Sequence, residues 1–432
     1  MRLHVRWTST TRIQPLRSAP KLYDEIVSNF ESDDSMLAGL RKGDPVSTTI
    51  VDSPKPSARE NDSLRTLRSE VRGFLRSEIA AGGFIPTCDS WMSGFEPEFS
   101  AKLGDRGWLG ITIPVSYGGH GGGQLERVTI AEELLANGAP VAAHWIADRQ
   151  MAPSLLNFGT PEQKEMYLPG IALGRTFFAI GMSEPEAGSD LAAVRTRAIK
   201  DGNGWRLTGT KLWTTGAHLA HAMVVLARTD GDVHDRQKGL SQFVVDLPHP
   251  NVEIRPIHSI DGQAHFNEVV FHDAALSSSA LLGERGAGWS QVMSELAYER
   301  SGPERYLSTM PLLRAWGEIL RINGSTAEQR QTLGTLTARA WTLRQMSHQV
   351  AHELAAGRRP DSLAAMVKDL GSTFEGDLVE GVRRSSRTEP RIGADPFAEL
   401  LAQSVLHMPA FTLRGGTNEI LRSIIGRGMG LR

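Results

Sequence analysis

At 432 residues the chain is long enough for two or three domains, or for one large composite with a substantial core. Its 47 basic and 49 acidic side chains leave a formal net charge of −2, which excludes the electrostatic footprint of a nucleic-acid binder or a membrane-surface protein. The single cysteine, Cys88, excludes an internal disulfide and a cysteine metal cluster, and no apolar run is long enough to span a bilayer. A soluble protein of a reducing compartment is expected, with Cys88 in a structural role.

Taken in order, residues 1–61 form an extension unlike the rest. Arg2, Arg6, Arg12, Arg17 and Lys21 precede the first acid, Asp24, among many Ser and Thr. That composition resembles a transit peptide, which would place the protein in a mitochondrial matrix. The favoured reading is a poorly ordered tail on a cytoplasmic protein, joined through a Pro- and Ser-rich linker over 43–62. From Ser63, Leu64, Leu67, Val71, Phe74 and Leu75 recur at the spacing of one helix face. Further helices are predicted from Phe99 to about Gly107, over Leu125–Ala139, and over Ala152–Leu173 with a break at Gly159 and a restart at Thr160-Pro161. The glycine-rich run Pro114–Gly123 reads as a connecting loop, because no Lys-Ser/Thr follows to make it a phosphate cradle. Residues 62–175 are therefore an α-domain of four to six helices.

Over 176–284 the character changes. Short strand-like runs appear at Trp205–Trp213, Ala222–Thr229, Gln242–Leu247 and Glu268–Phe271, with Asp201-Gly202-Asn203-Gly204 as a hairpin turn into the first. Helical periodicity returns over 285–432, at Trp289–Tyr298, Pro311–Ile322, Ser325–Leu354, Asp361–Arg383 and Pro396–His407. The expected fold is α+β: an N-terminal helical domain, a middle β-domain and a C-terminal helical bundle.

The chemistry is carried by two stretches of the β-domain. In Ile180–Asp190 (IGMSEPEAGSD) an apolar run enters an acid-proline turn and then a loop of small residues, through which backbone amides can approach an anionic group closely. Alone this loop is an ordinary surface turn. Followed by Lys211-Leu212-Trp213-Thr214-Thr215, it resembles the flavin-binding core of the acyl-CoA dehydrogenase family, and the likeness runs from about residue 62 to the C-terminus. The resemblance implies an FAD enzyme that oxidises an acyl-CoA thioester to the 2,3-enoyl-CoA and passes electrons to an electron-transfer flavoprotein. It implies that Ile180, Gly181, Met182 and Ser183 line the flavin ring, that Trp213 covers one face, that Thr215 hydrogen-bonds near its reactive nitrogen, and that Thr214 belongs to the same cofactor-binding run. Gly188 and Ser189 border the pyrophosphate and the CoA arm, while Thr417 and Glu419 fall beside the adenosine half. A core position on a strand is the competing reading of Trp213.

Such a reaction also needs a base for the α-proton. Many family members carry it in a Tyr-Glu-Gly-Thr run near the C-terminus; here that run reads Arg414-Gly415-Gly416-Thr417, so Gly415 stands where the glutamate would be. A minority branch carries the base on the first helix after the β-domain, and Glu299 falls there. The resemblance thus makes Glu299 the catalytic base, with Arg300 and Gly416 beside the substrate; Glu304 is a poorer second choice. A solvated Glu299 paired with a nearby arginine is the alternative. His218, His221, His258 and His265 lack metal-ligand spacing and predict no metal.

A second departure concerns the neighbouring subunit. The family's Arg-x-x-Phe-Gly run is replaced by Arg314-Ala-Trp-Gly, and residues 394–409 contain no Gly-Gly. A homodimer or homotetramer is expected from the fold, with a heteromer whose other chain supplies the missing grip as the alternative. An oxygen-using oxidase or monooxygenase of the same fold and a non-catalytic subunit of a heteromeric dehydrogenase are the competing functions.

Overall fold

The computed structural model describes residues 58–300 and 302–431. The expected transit peptide or tail over 1–57 lies outside the described residues. Helix α1 spans Ala58–Ala80, beginning a turn before the periodic residues. Val71, Phe74 and Leu75 are buried along its inner face, as their spacing requires. Helices α2 (Pro97–Asp105) and α3 (Gln124–Ala136) follow, the first shifted two residues toward the N-terminus of its expected span and the second ending three residues early. Next, α4 (Ala142–Ile146) passes through a π-helical turn, Ala147–Met151, into α5 (Ala152–Phe158). Periodicity missed α4 and this turn, because a π-turn breaks the 3.6-residue repeat. At the restart, Gln163 N donates to Thr160 Oγ1 and Thr160 N to Gln163 Oε1, a reciprocal cap that opens α6 (Pro161–Ala172) with Pro161 in its first position.

The middle segment is one eight-stranded sheet: β1 (Phe178–Gly181), β2 (Arg197–Asp201), β3 (Gly204–Thr215), β4 (Ala222–Arg228), β5 (Leu240–Asp246), β6 (Val252–Ile257), β7 (Phe266–Leu276) and β8 (Leu281–Leu282). Its order is β6-β7-β3-β2-β4-β5-β8, with β1 paired parallel to β4. The anticipated hairpin joins β2 to β3, with Asp201 opposite Gly204 and Gly202 at φ +54°. Four strands were legible as apolar runs. The others are short or, like β6, only partly buried, so they carry a weak apolar signal. Strand β4 is buried along its whole length, which is why it reads as continuously apolar. Met223, Val225 and Ala227 face a core with Trp205, Leu207, Phe243 and Phe271. Ala222 and Val224 face Leu155, Leu168 and Ile171 of the N-terminal helices.

The C-terminal helices are α7 (Gly288–Arg300), α8 (Met310–Asn323), α9 (Ala327–Ala355), α10 (Asp361–Ser386), α11 (Pro396–His407) and α12 (Asn418–Gly428). Apart from a small cluster of Val350, Ala364 and Val367, they share their core with the first segment. Leu75, Phe99, Leu103 and Leu134 of the first segment pack in one buried cluster with Trp316, Leu336, Phe374, Leu378 and Leu401 of the last. Among the described residues no helix is long and apolar enough to cross a membrane.

Candidate active site

The two stretches singled out in the β-domain lie side by side. Leu212 N–H donates to Ser183 O at 2.9 Å, and Lys211 Nζ donates to Met182 O at 3.0 Å. Gly181 is required by this contact: a Cβ there would lie 2.7 Å from Met223 Cε and 3.1 Å from Lys211 Cγ. Glu184, read from sequence only as part of a turn, is the buried anchor of the loop. It accepts from Arg195 N, Thr196 N and Lys211 Nζ at 2.6, 2.9 and 2.7 Å. Burial alone would raise its carboxyl, but Lys211 and these donors hold it below its ordinary value. Burial in turn pulls the Lys211 ammonium down to about 8. Asp190 is gripped by the guanidinium of Arg236 at 2.6 and 2.9 Å, which pins the far end of the loop. Between these anchors Gly188 and Ser189 are exposed, and space around Gly188 is open.

Strand β3 ends in a β-bulge: Lys211 pairs with Val269 and Thr214 with Asn267, so Leu212 and Trp213 together oppose Glu268. Trp213 sits at φ +61°, a left-handed backbone unusual for an indole-bearing residue, and is 56% exposed. The bulge thus turns Trp213 out of the sheet, with its ring edge on Phe266. It is not a core tryptophan. Thr214 is buried and its Oγ1 has no hydrogen-bond partner; Thr215 is half-buried.

Helix α7 packs on this assembly. Val292, Leu296 and Trp289 share a cluster with Met182, Ala187 and Val194. At its last turn stands Glu299, its side chain 21% exposed and its Oε1 3.1 Å from Arg305 Nη2. Arg305, itself buried, also donates to Glu299 O. The fold brings Gly415 against this pair: a Cβ there would lie 2.9 Å from both Glu299 Oε1 and Arg305 Nη2, and Gly415 has φ +71°. Arg300 Nε donates to Gly415 O at 3.4 Å, and its Nη2 would be 3.3 Å from a Cβ on Gly416. Glu304 is buried and paired with Arg149 and Arg305, so it is no free base.

Sequence reasoning missed the surroundings of Glu299. Arg149 comes from the π-helical turn and donates to Tyr298 O as well as to Glu304. Trp91 lies under the guanidinium groups of Arg305 and Arg414, at 5.1 and 4.4 Å. Lys368 of α10 is fully buried, with Nζ 3.1 Å from Asn418 Oδ1; burial, aided by nearby Arg305, pulls it down to about 7. A buried cation amid a helix's apolar face is the one sequence signal that Lys368 carried. Thr417 caps α12, its Oγ1 accepting from Ile420 N, and Glu419 is exposed in the first turn of that helix. Among the described residues no hydrogen bond joins these two to the Ile180–Asp190 stretch.

Arg314 is spent inside the chain, bonding Ala136 O and Asn137 Oδ1 at 2.9 and 2.7 Å at the end of α3. His218 bonds Asn267, His221 accepts from Phe177 N, and His258 reaches Gly262 O. His265 behaves differently: with His407 it meets the carboxylate of Asp261, the three donor atoms lying within 4.8 Å. The distant His407 is invisible to local spacing. Cys88 is buried, and burial pushes its thiol up to about 12.

Comparison with known proteins agrees with this architecture. Residues 61–175 match the acyl-CoA dehydrogenase N-terminal domain and residues 179–274 the acyl-CoA dehydrogenase middle domain. The chain is 34% identical over 383 residues to acyl-CoA dehydrogenase IpdE1 of Mycobacterium tuberculosis, covering 85% of this chain and 98% of that one. It is 33% identical over 384 residues to acyl-CoA dehydrogenase FadE29 of the same organism, covering 84% and 95%. Among solved structures, the Tcur3481-Tcur3483 steroid ACAD superposes with a TM-score of 0.76 at 26% identity, covering 88% of this chain and 99% of that one. The ChsE4-ChsE5 complex from Mycobacterium tuberculosis superposes at 0.72 and 26%, covering 88% and 99%. The paired β-strand stretches, the helices on either side of the sheet and these relatives lead to one conclusion: this chain belongs to the acyl-CoA dehydrogenase family of flavin-dependent oxidoreductases.

Proposed function

We propose that the protein oxidises an acyl-CoA thioester to the 2,3-enoyl-CoA with Glu299 as the base that takes the α-proton. FAD, when bound, supplies the acceptor for the β-hydride. The residues present fit that group: Trp213 offers an exposed ring, Thr214 Oγ1 is buried without a partner, and Gly188 leaves open space. Ile180, Gly181, Met182, Ser183, Trp213, Thr214 and Thr215 would hold its ring. Gly188 and Ser189 would hold its pyrophosphate, with Thr417 and Glu419 toward the adenosine half. Ser189 also borders the CoA arm, and Arg300 steadies the Gly415-Gly416 loop along which the thioester lies.

The meeting of Glu299 with Gly415 carries this reading. In the family the base occupies one of two places far apart in sequence. Here the one carboxylate present stands against the glycine at the other place, with no room between them for a second side chain. Arg305 holds that carboxylate from one side and keeps it oriented for proton transfer. An electron-transfer flavoprotein is the proposed electron-receiving partner. The internal use of Arg314 supports an oligomer in which a second chain of the same fold supplies the missing grip, as the two-chain ChsE4-ChsE5 neighbour would allow.

The test is the visible spectrum before and after anaerobic addition of a panel of acyl-CoAs. Wild type is expected to carry flavin that one class of thioester bleaches. Glu299→Gln is expected to keep flavin and to bleach ~10²–10⁴-fold more slowly. Bleaching at the wild-type rate in Glu299→Gln would remove Glu299 from the mechanism. Protein that folds without flavin until a partner chain is added would make the heteromer the working form.

A further inference from the structure

Beyond the end of α7 lies a cavity whose walls are mostly apolar, including Trp108, Leu134, Trp145 and Leu354. Gly302 and Pro303, two and three residues past the end of α7, form its near side, so it abuts the helix terminus that carries Glu299. Among these apolar walls stands Arg127 of α3. The other arginines here are matched: Arg149 is paired with Glu304, and Arg305 with Glu299 and Glu304. Arg127 is not. The one hydrogen bond of its guanidinium is a long 3.5 Å contact to Arg149 O, with the Tyr298 ring 5.9 Å away. No carboxylate lies within 4.0 Å of it among the described residues. Asp148, which also lines the cavity, and Glu304 act on it only from beyond that distance; Asp148 spends its Oδ1 on Gly110 N at 2.7 Å, and burial pushes its carboxyl up against the opposing pull of Gly110 N, Arg127 and Arg149. Gln124, one turn earlier on the same face of α3, likewise has a buried Oε1 with no partner. A half-buried guanidinium with no carboxylate in contact is costly unless something else pairs with it. Its planar fork is shaped for a carboxylate.

We propose that this cavity receives the far end of the acyl group and that Arg127 pairs there with a carboxylate, making the substrates acyl-CoAs that carry a second, terminal carboxyl. This rests on the acyl-CoA reading of the Glu299 site. The apolar walls take the intervening carbons, and the guanidinium takes the charged end.

Equilibrium binding by calorimetry tests it, using matched pairs of acyl-CoAs from six to fourteen carbons that end either in a methyl group or in a carboxylate. For at least one length the carboxylate-ended member is expected to bind wild type ~10-fold or more tightly than its methyl-ended partner, the range of a charge-assisted bond. Arg127→Met is expected to bring that ratio to one or below, and Arg127→Lys to keep part of it. Methyl-ended members that bind as well at every length overturn the proposal, as does a preference that survives in Arg127→Met. If Arg127→Met does not fold, the wild-type ratios and Arg127→Lys decide. If no member of any pair bleaches the flavin, the dehydrogenase reading fails while the binding ratio still judges the cavity.

Discussion

A methyl group placed on Gly415 would lie 2.9 Å from Glu299 Oε1 and from Arg305 Nη2, on a backbone at φ +71° that side chains rarely adopt. Gly415→Ala is therefore expected to displace the Glu299 carboxylate and to slow substrate-driven bleaching by about tenfold or more while flavin content stays unchanged. Unaltered bleaching would mean that Glu299 has slack the geometry does not show. Lys211 and Glu184 make a different kind of pair, buried and structural. Lys211→Met leaves Glu184 as an uncompensated buried carboxylate, with an expected loss of about 3–5 kcal/mol in urea unfolding. Wild-type stability in that variant would show that the backbone donors of Arg195 and Thr196 suffice for Glu184.

At the scale of elements, the bulge in β3 is what keeps Trp213 out of the sheet core. A regular strand would alternate its side chains between the two faces of a sheet buried on both sides. The extra residue breaks that alternation and leaves Trp213 56% exposed. Trp213→Ala removes little buried area, so the thermal stability of the flavin-free protein is expected to move by no more than about 0.5 kcal/mol. Flavin retention through gel filtration, read as the visible-to-ultraviolet absorbance ratio, is expected to fall. The opposite pattern, a large stability loss with full flavin, would return Trp213 to the core. The π-helical turn between α4 and α5 works in the same manner, because it aims Arg149 at Tyr298 O and Glu304 instead of continuing the helix face.

Across the whole molecule, the first and last helical segments share one core, and polar contacts join all three segments. Asp89, preceding the short helix Ser90–Ser93, takes a bidentate bond from Arg414, beside Gly415, at 2.5 and 2.6 Å, and Asp261 meets His407 at 2.9 Å. Glu375 of α10 belongs to the same seam, accepting from Ser308 N at 2.8 Å; burial pushes its carboxyl up to about 8. The folded chain therefore holds a proton on Glu375 that the unfolded chain releases near pH ~4.3. Its contribution is complete below that pH and is lost as pH rises toward about 8. Glu375→Gln is expected to flatten the fall in melting temperature between pH 5 and pH 8 relative to wild type, since the amide does not titrate. Parallel profiles for the two proteins would show that Glu375 is ionised when folded. Lys368, pulled down to about 7, acts with the opposite sign at higher pH and is common to both proteins.

What the sequence by itself determined are the features governed by near neighbours along the chain. Helix faces such as Val71, Phe74 and Leu75, the Thr160-Pro161 restart, the Gly202-Asn203 hairpin, and the paired flavin-like stretches were all legible, because periodicity, capping and turn chemistry act over a few residues. The position of Glu299 was legible through resemblance, and so was the absence of a carboxylate at Gly415. Only the tertiary structure decided that Glu299 and Gly415 touch, that Arg305, Trp91 and Lys368 surround them, that His407 joins Asp261 and His265, and that Arg127 faces an apolar cavity with no carboxylate in contact. Those relations join side chains brought together by the burial of a core shared between distant segments. No local pattern records them, because packing, and not spacing along the chain, sets which charges meet.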